Sequence, residues 1–210
     1  MSKPTFSTIP IYPLDNYAIS TKEPQPEEDI SVQARLKRLE AEYETHGTRT
    51  TVEAVMIVHE HNFPHVLLLQ NANSFFKLPG DSLPPQDSSD TIGGLKKILN
   101  KRLAPMRSDA PDETEFEELD WDVGEVVANW YRPNFDNYTY PYKPAHVSRP
   151  KEIKKIYLVN LPEKRKLCVP RNMKLLAVPL FELYDNNTRY GQQFSALTHN
   201  LSRFNFSIQQ

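Results

Sequence analysis

The chain has 210 residues, 39% of them apolar and 25% charged, enough for one packed domain with elaborations and too apolar for wholesale disorder. No stretch approaches the run of about 20 apolar residues that a membrane helix needs, residues 1–16 lack the basic start and apolar core expected of a signal peptide, and a single cysteine, Cys168, excludes an intramolecular disulfide and fits a reducing compartment. The net charge of −2 hides a split: residues 109–125 hold nine acidic side chains and no basic one, leaving 18 acids against 25 bases elsewhere, while residues 143–174 hold ten Lys or Arg against two Glu, the makings of either a basic face or a solvated surface balanced by an acidic loop.

Proline is frequent, at 18, and glycine scarce, at 6, which argues against a helical bundle and against a glycine-rich phosphate loop. Residues 1–28 carry Pro4, Pro10, Pro13, Pro24 and Pro26 and are expected to form an extended arm. Its apolar Phe6, Ile9, Ile11, Tyr12, Leu14 and Tyr17 predict that it lies along the body, in part as strand. Asp29 or Ser31 caps a helix in which Val32, Leu36, Leu39 and Tyr43 recur at helical spacing, and Gly47 ends it. The β-branched run Thr50–Val58 predicts a strand, 61–64 a turn, and Val66–Leu69 its partner. Ser74–Leu78 is a third short extended piece stopped by Pro79-Gly80, and Thr91–Leu103 a helix. After an acidic loop over 109–120 come a strand over Trp121–Tyr131, a Pro/Tyr-rich segment over 133–150 and an alternating strand over Ile153–Leu161, expected to keep one face wet. An apolar stretch, Leu175–Leu180, precedes short helices near 181–186 and 193–202. The pattern is α+β, with antiparallel hairpins and few helices.

The run Phe75-Phe-Lys-Leu-Pro-Gly-Asp-Ser-Leu-Pro-Pro-Gln-Asp, followed by Thr91-Ile-Gly-Gly-Leu-Lys-Lys-Ile-Leu-Asn-Lys-Arg-Leu103, is strand, loop and helix in succession and resembles the Nudix fold. The resemblance implies an α/β/α sandwich with a mixed sheet over residues 29–210, with C-terminal helices and the arm 1–28 in front. In that family the loop and helix carry Gly-x5-Glu-x7-Arg-Glu-x2-Glu-Glu-x-Gly, whose glutamates bind Mg²⁺ for cleavage of nucleoside diphosphate links. Here Lys96-Lys97 and Asn100-Lys101 stand in their place, and no Glu occurs from His61 to Asp112. Mg²⁺ prefers carboxylate oxygens, and each ammonium group about 4 Å from a cation opposes it by roughly 4 kcal/mol at moderate screening. Asp81, Asp87 and Asp90 remain, but scattered loop aspartates commonly serve turns and caps. No metal-dependent hydrolysis, catalytic residue or cofactor is therefore expected.

Further runs narrow the resemblance. Val58-His-Glu-His-Asn-Phe-Pro-His-Val-Leu-Leu-Leu-Gln70, Trp130-Tyr-Arg-Pro-Asn-Phe135, Tyr140-Pro-Tyr-Lys-Pro-Ala-His146, Pro179-Leu-Phe-Glu-Leu-Tyr-Asp185 and Leu201-Ser-Arg-Phe-Asn-Phe206 are similar to the small Nudix-like subunits of pre-mRNA cleavage factor I, also called cleavage and polyadenylation specificity factor subunit five. The similarity runs from Ile11 to Phe206. It implies a nuclear homodimer that binds single-stranded UGUA elements and recruits a larger subunit carrying an RNA-recognition domain. The family's RNA site falls on Glu27, Arg35, Glu53, Ser74, Phe75, Phe76, Leu78, Tyr190 and Gly191. Ser74 departs from the family's Thr but keeps the hydroxyl, and the acidic insertion at 107–120 is long for the family and is expected to lie away from the RNA site. By the same resemblance Tyr140 and Tyr142 lie where the large subunit docks.

Those residue types suit the chemistry. Sequence-specific reading of RNA stacks unpaired bases on aromatic rings and hydrogen-bonds their edges. Adjacent Phe75 and Phe76 face opposite ways on a strand, Glu27 and Glu53 can accept from uracil and guanine N–H groups, and Arg35 can fork onto guanine or a phosphate. Plainer readings exist: paired phenylalanines are commonly core, and six rings within residues 130–142 could pin a loop to the body. His59 and His61, spaced for one strand face, lack a further ligand for a metal site with His65. Competing readings are a nucleotide-binding or weakly active Nudix hydrolase of dinucleoside polyphosphates, and a scaffold without RNA affinity.

Overall fold

Three runs of consecutive apolar residues build the centre because both of their faces are buried. The computed structural model describes residues 7–26, 28–72, 75–106 and 117–210. In β3 (Arg49–Val55) and β4 (Ile57–Glu60), Val55 and Ile57 face one core while Val52, Ala54, Met56 and Val58 face another. β5 (Phe63–Asn71) splits its side chains likewise, Val66 and Leu68 against Leu67 and Leu69, and so does β9 (Glu152–Asn160), Ile156 and Leu158 against Tyr157 and Val159. Helix α2 (Thr91–Leu103) covers one side through Leu95, Leu99 and Leu103. The C-terminal helices α3 (Leu180–Leu183), α4 (Asn187–Tyr190) and α5 (Gln192–Leu201) cover the other through Leu183, Tyr190, Phe194, Leu197 and Leu201. The result is the helix–sheet–helix layering expected.

The strand foreseen over Thr50–Val58 is two strands. β3 pairs parallel with β9 and antiparallel with β7 (Gly80–Ser82), and β9 also pairs antiparallel with β8 (Asp122–Arg132). Beyond Met56 the chain joins the second sheet, where β4 pairs with β5, and β5 with β6 (Phe75–Lys77) and β11 (Met173–Pro179). The β4–β5 loop is His61-Asn62, both in the left-handed region at φ 50 and 64, the geometry of a two-residue hairpin turn. His61 therefore leaves the strand face expected to hold it beside His59.

Within the arm, β1 (Thr8–Ile11) pairs parallel with β12 (Asn205–Ile208), and β2 (Tyr17–Lys22) pairs parallel with β10 (Arg165–Pro170). Ile9, Ile11 and Tyr17 are buried there. Helix α1 (Val32–His46) begins at Ser31, whose hydroxyl accepts from Ala34 N at 3.1 Å, and ends at Gly47, φ 81. It buries none of its residues, and Ile30 and Val32 at its start are almost wholly exposed.

Gly80 holds β7 close to β3: a Cβ there would lie 2.2 Å from the Val52 carbonyl oxygen and 2.6 Å from Glu53 Cα, both backbone atoms. Gly80→Ala should lower the urea midpoint by the equivalent of about 1–3 kcal/mol, the usual cost of overpacking; an unchanged midpoint would show that β7 is not pressed against β3.

Candidate nucleic-acid interface

Along the face covered by α3–α5, the same stripes of side chains change from apolar to polar. Ile57 and Val55 continue on β3 as Glu53, Thr51 and Arg49, Leu158 and Ile156 continue on β9 as Lys154 and Glu152, and Trp130 on β8 is followed by Arg132. These polar ends floor a cleft of about 870 Å³. Its walls are the start of α1, the β6–β7 segment, the α4–α5 junction and residues 137–139.

Glu152 anchors the floor. It is 5% exposed, and its carboxylate accepts from Thr51 Oγ1 at 2.5 Å and Arg132 Nε at 2.8 Å, with Arg49 at 3.2 Å. Burial alone would raise this carboxyl, but Arg49, the Thr51 hydroxyl, Arg132 and Lys154 outweigh it and hold it at about 2. Next to it, Glu53 pairs with Lys154 Nζ at 2.7 Å and accepts from Gln193 Nε2 at 2.8 Å, and Lys154 donates to Gln193 Oε1 at 3.1 Å. This closed ring ties β3, β9 and the first turn of α5 together. Gly191, at φ 88, separates α4 from α5 in a conformation that other residues adopt with strain.

Aromatic side chains form one wall. Phe76 lies against Tyr190 with ring centroids 4.8 Å apart. The Tyr190 hydroxyl donates to Glu182, and burial, then that carboxylate, push the phenol up to about 12, so it remains a donor. Phe75, on the opposite face of β6, is 64% exposed. Leu78 is buried in the core beneath. At the α1 wall, Arg38 forks onto Asp29 at 2.9 and 2.7 Å and reaches Glu42 at 2.8 Å, and its hydrogen bonds hold the Asp29 carboxyl below the usual range. Arg35, one turn before, is exposed and makes no ion pair with a described residue.

The structure thus brings Arg35, Glu53, Phe75, Phe76, Leu78, Tyr190 and Gly191 to one cleft. Glu27 and Ser74 lie outside the described residues, as does 107–116 of the acidic insertion. The described end of that insertion and the buried Trp121 beyond it fasten to α2 at residues that do not line the cleft: Leu119 N and Trp121 Nε1 both donate to Asn100 Oδ1, and Lys96 pairs with Asp120 at 3.1 Å. Tyr140 and Tyr142 stand apart from the cleft, 37% and 60% exposed, their rings 5.9 Å apart. Sequence reasoning missed Arg49, Arg132, Glu152, Lys154 and Gln193. The available signal was polar residues continuing the inward-facing alternation of strands whose other halves are core.

Electrostatics at α2 differ from expectation. None of Lys96, Lys97, Asn100 and Lys101 lines the cleft; Lys97 pairs with Asp87 at 3.5 Å on the outside. The cation that α2 directs to the cleft is Arg102, paired with Asp81. The Mg²⁺ implied by a Nudix-type helix does not fit what is present: Glu53, Glu152 and Asp81 each pair with cationic side chains, and among the described residues no three His, Cys, Asp or Glu stand together as a ligand group. The histidines have other partners, His59 Nε2 against the Gln209 carbonyl and His65 Nδ1 against the Phe63 carbonyl, each at 2.7 Å. Among the described lining residues seven Lys or Arg face five Asp or Glu, so the cleft is polar with a small positive excess.

A Nudix family model described as nucleotide hydrolase matches residues 7–204. The chain is 49% identical over 197 residues to pre-mRNA cleavage factor Im 25 kDa subunit 2 of Arabidopsis thaliana, covering 94% of each chain. It is 40% identical over 205 residues to cleavage and polyadenylation specificity factor subunit 5 of Dictyostelium discoideum, covering 96% of each. Among solved structures it is similar to a Nudix hydrolase from Alicyclobacillus acidocaldarius, at 11% identity and a TM-score of 0.48, covering 72% of this chain and 90% of that one.

Glu152 gives the floor a pH signature. Its folded value of about 2 lies below the ordinary 4.5, so its contribution is complete above pH 4.5 and disappears as pH falls toward 2. Equilibrium unfolding across that window should show about 3 kcal/mol of stability lost, and Glu152→Gln should flatten the slope. A slope that survives the substitution would mean the cations do not hold this carboxylate.

Proposed function

The chain belongs to the family of pre-mRNA cleavage factor Im 25 kDa subunits, which are cleavage and polyadenylation factors on a Nudix fold, and we propose that its cleft binds single-stranded UGUA elements in the nucleus without breaking a bond. The observation that carries this reading is the pairing of a wide-open Phe75 ring with a floor whose carboxylates are already neutralised. An unpaired base gains about 1–3 kcal/mol by stacking on such a ring. Each oxygen of Glu53 has spare acceptor capacity beyond its one protein donor, suited to the ring imino N–H of uracil (N3) or guanine (N1), which adenine and cytosine lack. Arg35 retains a planar fork for guanine or a phosphate. Hydrolysis needs metal-binding acids, and the acids of this cleft are committed to Arg and Lys.

Two further elements complete the proposal. A homodimer would present two such clefts and gain avidity on RNAs carrying two copies of the element. Tyr140 and Tyr142, exposed outside the cleft, would dock the large RNA-recognition-domain subunit, since tyrosine combines an apolar ring with a polar tip.

Titration of UGUA-containing and single-base-changed RNAs should discriminate by about 1–3 kcal/mol per base for the wild type, with most of that lost in Phe75→Ala and Arg35→Ala; equal affinity for a scrambled RNA overturns the assignment. Pure protein with Mg²⁺ or Mn²⁺ should leave capped and dinucleoside polyphosphate substrates intact, and turnover would restore an enzymatic reading. Replacing Tyr140 and Tyr142 together by Ala should abolish large-subunit capture while leaving RNA affinity within about twofold of wild type, well inside the worth of one stacked base.

A further inference from the structure

A four-nucleotide element needs more than one stacking surface, and most rings in the cleft are already occupied. Tyr190 and Phe194 are 8% and 6% exposed, and Phe76 is half-buried against Tyr190. Among the described residues that line the cleft, the aromatic side chains with more than half of their surface open are two: Phe75, at 64%, and Tyr138, at 71%. Tyr138 comes from the loop after β8 and not from the β6 wall, so an RNA strand crossing the cleft meets it on a different element from Phe75.

The position of Tyr138 is set by the floor. Its backbone N–H donates to Asp136 Oδ1 at 3.1 Å, and the Asp136 carbonyl accepts from Arg132 Nη1 at 2.5 Å. Arg132 is held in turn by Glu152. On the other flank, Tyr140 and Tyr131 exchange both backbone hydrogen bonds, at 2.7 and 2.8 Å. The segment 136–140 is thus clamped at both ends although it lacks regular structure, and its one ring in the cleft projects into the opening. A ring carried on backbone ordered in this way needs little loop ordering when a base stacks on it. Arg132 and Arg49 lie in the same cleft, which favours the phosphate next to a stacked base.

We propose that Tyr138 is a second base-stacking platform, taking a nucleotide at or beside the end of the RNA element while Phe75 takes another. This rests on the reading of the cleft as an RNA site. It extends that site from the residues around β6 and α4 to the loop that carries Tyr140 and Tyr142.

The test pairs protein variants with abasic RNAs. Wild type, Tyr138→Ala, Tyr138→Phe and Phe75→Ala are titrated with a UGUA RNA bearing two flanking nucleotides on each side and with the series in which one base at a time is removed. Wild type should lose roughly ten-fold or more in affinity at the position that Tyr138 serves, in keeping with the worth of one stacked base. Tyr138→Ala should bind the intact RNA as weakly as wild type binds that abasic RNA and lose nothing further from the same removal; Tyr138→Phe should behave as wild type. In Phe75→Ala the sensitivity should vanish at a different position. The proposal is overturned if Tyr138→Ala binds every RNA as wild type does, or if it weakens all RNAs equally with its abasic profile intact, the mark of a merely structural role. Wild type that binds no RNA in the series would sink the reading of the cleft together with this one.

Discussion

The buried carboxylate of Glu152 is the constraint on which the cleft depends. A single buried ion pair is weak evidence for stability, because desolvation of both charges offsets their attraction. Its effect on geometry is another matter: once Glu152 is 5% exposed, two guanidinium groups and a hydroxyl must stay with it, or a charge is left in a medium that cannot solvate it. Arg49 and Thr51 come from β3, Arg132 from β8 and Glu152 from β9, so the requirement locks three strand ends together. Where the stripes of Val55, Ile57, Ile156 and Leu158 would otherwise continue as core, they become a polar floor.

Two consequences radiate from that floor. On one side Lys154 joins Glu53 and Gln193, which fixes the start of α5 and with it Gly191, Tyr190 and the Phe76 ring packed on Tyr190. With Phe76 turned inward, strand geometry turns Phe75 outward. On the other side Arg132 reaches the Asp136 carbonyl and steadies the loop that carries Tyr138. The exposed rings of β6 and of the 136–140 loop are therefore linked to one set of charges at the base of the cleft.

Helix α2 joins an apolar face in the core to polar positions tied to neighbouring segments. Its apolar face still fills the core through Leu95, Leu99 and Leu103, and its N-cap Asp90 still accepts from Gly93 N at 2.9 Å. Its polar positions have structural partners: Asn100 receives the Trp121 indole and Leu119 N, Lys96 reaches the exposed Asp120, and Lys97 the half-buried Asp87. This helix contributes to the cleft one cation, Arg102, paired with Asp81.

Much of this was legible in the residues. Helical spacing marked α1 and α2, with Thr91–Leu103 recovered to its ends, and the extended runs over Trp121–Tyr131 and Ile153–Leu161 are strands β8 and β9, although Ile156, Tyr157, Leu158 and Val159 are all buried, so the wet face expected of Ile153–Leu161 is covered. These are local properties, carried by periods of 2 and 3.6 residues and by the chemistry of single side chains. Tertiary structure alone decided that the chain changes sheets at Met56, that β1 and β2 pair with strands from the far end of the chain, that Lys96 and Lys97 point away from the cleft, and that Glu152 gathers Arg49 and Arg132. An alternating strand looks the same whichever neighbour it pairs with, and a charge carries no label for its partner. Both are settled only when distant segments are brought together and each buried polar group must find something to satisfy it.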